Sequence, residues 1–338
     1  MQETLLSVRN LHTFFLNGKK IVRAVNGVSF DINRGEVFGL VGESGCGKSA
    51  TCRSVIRLVQ SSGKIVEGEI LYNGKDIVSM SEKEMAQIRG KEIGMIFQEP
   101  MNTLNPVTTV GQQLMEVYRP LKISEEEKKK RAVEMLRLVG IATPENRLKN
   151  YPHQFSGGMR QRAMIAIALA AEPKLLLADE PTTALDVTIQ DQIIKLLQSL
   201  RQKLSMSMIL VTHDLGVASR LCDRIAVMYA GNIVEMAVAH DLFYTPRHPY
   251  TLGLMRSMPL KGKGVRLEPI GGMPPDLSEE IKGCPFAPRC GMADDRCRAE
   301  KPCIREIAPG HSTACHYAEQ LEGESFLTQM GKDGDRHE

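Results

Sequence analysis

With 338 residues, the chain has room for one large domain and a smaller one, or for two domains. Hydrophobic residues at 42% and charged residues at 25% are the balance of a soluble globular protein. A net charge of +3, with no basic stripe interleaved with aromatics, argues against nucleic acid as a partner. Residues 1–10 lack a basic segment and a cleavage site, so no secretory leader is expected. The longest apolar run, residues 163–171, is nine residues and far too short to span a bilayer. The chain reads as cytosolic, and any membrane role must come through a partner. Five of the eight cysteines fall between Cys284 and Cys315, which in a reducing compartment suggests metal rather than disulfides.

The first 80 residues predict mostly strand: 5–11, then 21–32 with Val28, Phe30 and Ile32 at a period of two, then 69–72 before the hairpin signal Asn73-Gly74. Phe14 and Phe15 precede the turn Asn17-Gly18, and an aromatic there could stack on a nucleotide base, although a lone Phe is more often core. The apolar run 37–41 leads into Gly42-Glu43-Ser44-Gly45-Cys46-Gly47-Lys48-Ser49 and a helical segment from Ala50 to Leu58. Strand, glycine loop and helix in that order are the context of a P-loop. The loop's N–H groups and the helix N-terminus can cradle a polyphosphate, with Lys48 on its β- and γ-phosphates and Ser49 on Mg²⁺. A glycine-rich turn before an ordinary helix is the blander alternative.

Residues 94–97 form another short strand ending at Gln98, followed by a Pro/Asn/Thr-rich connection over 99–111 and a helical region to about 171. Ser124 caps an acidic-then-basic helix start (SEEEKKKR), read as a solvated face without function. Ser156-Gly157-Gly158 opens a helix of small apolar residues and could offer donors to an anion, or simply cap the helix. The apolar run 175–178 ends in Asp179 and Glu180, as in a buried parallel strand with acids at its carboxyl end. Asp179 suits a role at Mg²⁺ and Glu180 the activation of water, the alternative being a helix N-cap. A helix over 186–204 carries Ile189, Ile193, Ile194, Leu197 and Leu200 on one stripe, and His213 stands just past the strand 208–211. Three apolar strands thus deliver Lys48, Asp179, Glu180 and His213 at their carboxyl ends, the edge where open α/β sheets bind ligands. The four are expected to meet at one phosphate.

Together these motifs resemble the ATP-binding subunit of an ABC transporter, collinear from about residue 5 to residue 253. Residues 42–49 are similar to Walker A, Gln98 to the Q-loop, and Ser156-Gly157-Gly158 to the ABC signature. Residues 175–179 are similar to Walker B with Glu180 as the catalytic glutamate, Ala184-Leu185-Asp186 to the D-loop, and His213 to the switch histidine. Met159 departs from the family's usual Gln. In the string YPHQFSGGMRQR (151–162), that Met resembles the dipeptide/oligopeptide import branch. The strings RHPYT (247–251) and GCPF (283–286) are similar to the tail of the peptide and nickel importers.

The resemblance implies an α/β P-loop NTPase ABC cassette: a mixed sheet with a parallel core, an antiparallel β subdomain and a helical subdomain. A small Cys-rich C-terminal extension follows. The nucleotide-binding domain would span 1–255, with its helical subdomain over about 99–160, and the extension 256–338. It implies nucleotide contacts from Phe15, Gly42, Ser44, Gly45, Cys46, Gly47, Lys48, Ser49, Ala50, Ser156, Gly157, Gly158 and Asp186. Catalysis would fall to Lys48, Gln98, Glu180 and His213, and Mg²⁺ to Ser49, Gln98 and Asp179. The implied partners are a sister ATPase in a heterodimer, two membrane permeases and an extracytoplasmic binding protein, with this chain peripheral on the cytoplasmic face. Residues 98–111 would receive the permease's cytoplasmic helix.

The tail opens with a Gly/Pro/Lys-rich linker (259–275), shows little periodicity and is too small to build a core without a staple. Its cysteines lack the close CxxC pairs of a zinc ribbon. Resemblance to dipeptide-importer subunits implies a [4Fe–4S] cluster on Cys284, Cys290, Cys297 and Cys315 with Cys303 spare; zinc and unligated thiols are the alternatives. Cys46, Cys52 and Cys222 are expected as small core residues. The cargo reading is di- or oligopeptide, with nickel or another chelated metal as its rival. An ABC ATPase acting on ribosomes or DNA is a remote alternative, because this chain has neither a second cassette nor a long coiled-coil insertion.

Overall fold

A hairpin of two fourteen-residue strands, β1 (Thr4–Asn17) and β2 (Lys20–Asn33), opens the chain and turns at Gly18-Lys19. In the computed structural model, residues 3–98, 103–183, 185–257 and 269–321 are described. Outside them lie 99–102 of the Pro-rich connection, Ala184 of the D-loop motif and 259–268 of the linker. The chain divides into two compact units, one from Met1–Ser79 with Thr212–Glu338 and one from Met80–Val211.

In the first unit, β3 (Val37–Val41) is buried at every residue and leads through a glycine loop into helix α1 (Lys48–Val55). A sheet in the order β2-β1-β4-β5 contains β4 (Gly63–Tyr72) and β5 (Lys75–Asp76). Asn73 and Gly74 join these two at φ 48° and 74°. Paired positive φ values are what a type I′ hairpin turn requires, so the Asn-Gly signal is met. Beside β3 runs β9 (Arg224–Tyr229) in parallel, then β10 (Asn232–Val238) antiparallel to β9.

The tail then adds β11 (Arg305–Ala308) and β12 (His311–Thr313), with Thr313 opposite Glu235 on β10. Strands of four and three residues are too short to show alternation, so the sequence gives no sign of them. They are held by a buried pair. His311 Nε2 lies 2.7 Å from Glu235 Oε1, and the side chains are only 4% and 0% exposed. The same oxygen accepts the Arg247 N–H at 2.5 Å. This sheet extension supplies the staple that the tail's composition lacks.

The second unit holds β6 (Ile93–Ile96), β7 (Leu175–Asp179) and β8 (Ser207–Thr212), parallel in the order β8-β7-β6. Every residue of β7 and β8 is buried, which is why both read as unbroken apolar runs. Its helices are α2 (Glu82–Ile88), α3 (Val110–Val117), α4 (Glu125–Leu138), α5 (Pro144–Arg147), α6 (Gly157–Leu169) and α7 (Val187–Leu204). Ser124 caps α4 by accepting the Glu127 N–H, and Lys128–Glu125 and Arg131–Glu127 pair along its surface at 2.7 and 2.9 Å. Such pairs contribute about 0.2–0.5 kcal/mol each. On α7, Ile193, Ile194, Leu197 and Leu200 are buried as the stripe predicts, while Ile189 is half-buried. No helix among the described residues is long and apolar enough to cross a membrane.

Candidate nucleotide site

The glycine loop lies so close to its neighbours that side chains are excluded at two points. A Cβ on Gly42, at φ 153°, would stand 2.2 Å from the Met228 carbonyl oxygen on β9. One on Gly47, the α1 N-cap at φ 106°, would stand 2.1 Å from that of Ala24 on β2. Only glycine fits either position. Ser44 and Gly45 are exposed on the loop's outer side, and Ser49 and Ala50, half-buried, begin α1. Lys48, 4% exposed, donates from Nζ to the carbonyls of Gly42 and Glu43, both at 2.8 Å. Burial pushes the Cys46 thiol up, and the Lys48 ammonium only partly opposes it. Cys46, Cys52 and Cys222 are all buried, as expected of small core residues. Phe15 is half-buried, and a Cβ on Gly63 across the sheet would come within 2.5 Å of its ring. That ring therefore lies over Gly63.

In the second unit Asp179 closes β7 with no exposure, and Glu180 follows at φ 49°. A non-glycine residue in the left-handed region costs on the order of 1 kcal/mol and persists where its surroundings impose it. Here the Glu180 N–H donates to Val211 at 3.0 Å. Gln98 Nε2 donates to Glu180 Oε2 at 3.2 Å, and Thr183 Oγ1 donates to the same oxygen at 2.7 Å. Two residues far apart in sequence, Gln98 and Glu180, are thus brought together. Thr183 and Gln161 are additions that the sequence reading missed. Gln161, 2% exposed on α6, donates to the Pro181 carbonyl at 2.6 Å and ties the signature helix to the turn after Glu180. It sits between Arg160 and Arg162, so nothing in the sequence set it apart.

Ser156 is the N-cap of α6, its Oγ accepting the Met159 N–H at 3.3 Å, and Ser156 and Gly157 are exposed. A Cβ on Gly158 would meet Ile189 at 3.0 Å. Asp186 caps α7 through the Ile189 N–H at 2.9 Å, and His213 is exposed one residue past β8.

Four tail cysteines, Cys284, Cys290, Cys297 and Cys315, line one cavity of about 20 Å³ together with His248 and Phe286; Cys303 is exposed and apart from it. None of these cysteines is in a disulfide. Burial pushes all four lining thiols up, Cys315 to about 11. Four thiols and no carboxylate are a donor set for a soft metal. As they stand, no group of three or more His, Cys, Asp or Glu among the described residues is gathered tightly enough to hold an ion.

The profile of the family described as ABC transporter matches residues 25–183. That described as oligopeptide/dipeptide transporter, C-terminal region, matches 234–297. The dipeptide transport ATP-binding protein DppD of Bacillus subtilis is 50% identical over 334 residues, 98% of this chain and 100% of that protein. The chain belongs to the ATP-binding subunits of ABC transporters. The oligopeptide transport ATP-binding protein OppD of Bacillus subtilis is 52% identical across 91% of this chain and 87% of its own. DppD of Escherichia coli is 46% identical across 93% and 96%. Among solved structures, the dimeric ATP-binding cassette MJ0796 in a post-hydrolysis state bound to ADP and Pi superposes with a TM-score of 0.62. It is 32% identical and covers 69% of this chain and 98% of its own. The fold is therefore that of the ABC ATPase cassette, as the motifs implied, and ATP hydrolysis is the family's chemistry.

Proposed function

We propose that this chain is the ATP-hydrolysing subunit of an importer for di- or oligopeptides, working at the cytoplasmic face of the membrane. The observation that carries the cargo class is the identity of about half of the chain's residues to relatives named for dipeptide and oligopeptide transport. Two membrane permeases, a sister ATPase and an extracytoplasmic binding protein would complete the assembly. Residues 1–255 would form the nucleotide-binding domain and 256–338 its extension.

In this reading Lys48 and the loop N–H groups hold the β- and γ-phosphates, and Phe15 takes the base. Ser49, Gln98 and Asp179 would hold Mg²⁺, which would supply positive charge to the phosphate oxygens when bound. Glu180 accepts a proton from the attacking water, Gln98 and Thr183 holding its carboxylate in place. His213 supports the γ-phosphate. Ser156, Gly157, Gly158 and Asp186 complete the site of the opposite ATPase, so that ATP closes the pair and hydrolysis reopens it.

Deleting the chain's gene is expected to abolish uptake of a labelled dipeptide and leave nickel uptake unchanged. Loss of nickel uptake with dipeptide uptake intact would replace the cargo. For the tail, Cys284, Cys290, Cys297 and Cys315 are the proposed ligands of a [4Fe–4S] cluster, supported by the shared cavity and by the exclusion of Cys303. Anaerobically purified chain should carry about four irons and four acid-labile sulfides. One zinc and no sulfide would make the tail a zinc module.

A further inference from the structure

The outer side of the glycine loop is held by a residue from the tail. Arg289 ends the single 3₁₀ turn Ala287–Arg289, next to Cys290. Its side chain is 3% exposed and grips Glu43, the residue after Gly42 in the loop, through two parallel bonds: Nη1 to Oε2 at 2.7 Å and Nη2 to Oε1 at 3.0 Å. Its other N–H groups donate to the Tyr229 hydroxyl at 3.3 Å and to the carbonyls of Gly271 and Ile270 at 2.8 and 3.2 Å. All five guanidinium donors are therefore used. The Glu43 backbone is pinned as well, its N–H donating to Tyr250 Oη at 2.9 Å and its carbonyl accepting from Lys48. A bidentate pair fixes orientation as well as position, so Glu43 has little freedom left.

The same turn borders the cysteine cavity. Phe286 lines it, and its ring packs on Tyr229 and Tyr250, each at 5.3 Å between centroids. The Arg289 N–H donates to the Phe286 carbonyl and the Cys290 N–H to that of Ala287. Phe286, Arg289 and Cys290 thus belong to one hydrogen-bonded turn.

We propose that Arg289 is a positioning residue for the phosphate loop, through which the cysteine-lined end of the tail sets nucleotide affinity. The inference rests on the phosphate-loop reading of residues 42–49. A loop already ordered binds without meeting the cost of ordering, so loosening it weakens binding more than it slows chemistry. The test is nucleotide affinity in the full chain, read with a fluorescent ATP analogue, for wild type, Arg289→Met, Glu43→Gln, their double variant and Arg289→Lys.

Arg289→Met is expected to weaken binding about tenfold, the scale of a charged hydrogen-bonded pair. The loss should appear in KM more than in kcat, and Arg289→Lys should recover part of it. The double variant should be no worse than the poorer single, because both remove one interaction. Cys290→Ser should shift affinity in the wild-type background and not beside Arg289→Met. Folded Arg289→Met that binds as tightly as wild type, or additive losses in the double variant, would overturn the clamp. Equal Cys290→Ser shifts in both backgrounds would overturn the link to the cysteines. Wild-type chain that binds no nucleotide would instead remove the phosphate-loop reading itself.

Discussion

Glu180→Gln is expected to lower ATP turnover about a thousandfold while nucleotide binding persists. Removing a positioned base costs roughly 10²–10⁴ in rate. The amide oxygen is isosteric with the carboxylate oxygen and can still accept from Gln98 and Thr183, which now meet at Glu180 Oε2. The left-handed backbone at φ 49° and its bond to Val211 are untouched. The loss should therefore appear in the chemical step, as phosphate release under single-turnover conditions, with the dissociation constant for ATP nearly unchanged. Turnover within tenfold of wild type would move the base elsewhere.

Lys48→Ala is expected to fail one step earlier. The side chain is almost fully buried and is the one cation the loop sequence places on the β- and γ-phosphates. Two charged hydrogen bonds at about 1.5–3 kcal/mol each correspond to a loss of at least about a hundredfold in ATP affinity. In the protein, Nζ also ties together the carbonyls of Gly42 and Glu43. Its removal should therefore loosen the loop, and a modest fall in thermal midpoint is expected alongside the lost binding. Equilibrium binding of a fluorescent ATP analogue separates the two variants: Glu180→Gln stays saturable at wild-type concentrations and Lys48→Ala does not. A Lys48→Ala chain with wild-type affinity would contradict the assignment of the loop.

Much of this site was legible because its parts are local. A P-loop is a run of eight residues whose glycines, lysine and serine sit at fixed spacings after a buried strand, and β3, the loop and α1 follow that order. Walker B was equally plain, since a strand buried on both faces reads as an unbroken apolar run up to Asp179. Caps at Ser124 and Ser156 were recoverable for the same reason, each being a contact three residues long.

Long-range pairings were not legible. Nothing in the spacing of Gln98 and Glu180, 82 residues apart, shows that they share a hydrogen bond. The Glu43–Arg289 pair spans 246 residues, and nothing in the local sequence of either residue points to the other. Gln161 is a related case, a polar residue between two arginines whose partner is a backbone carbonyl with no side-chain signature. In the tail, β11 and β12 were hidden by their brevity; they exist because β10 offers an edge and because His311 meets Glu235 there. The convergence of four cysteines without Cys303 entered through resemblance alone, since gaps of five to eleven residues select no pairing.

The central claim, that this chain's ATP hydrolysis drives peptide import, is tested most directly in proteoliposomes containing the permeases and the sister ATPase, with a dipeptide-loaded binding protein outside. The measurement is labelled dipeptide entering per phosphate released within. The account predicts uptake that requires ATP, hydrolysis stimulated by the loaded binding protein, and neither in vesicles carrying Glu180→Gln. Dipeptide uptake at the wild-type rate with Glu180→Gln, or hydrolysis indifferent to dipeptide, would contradict it.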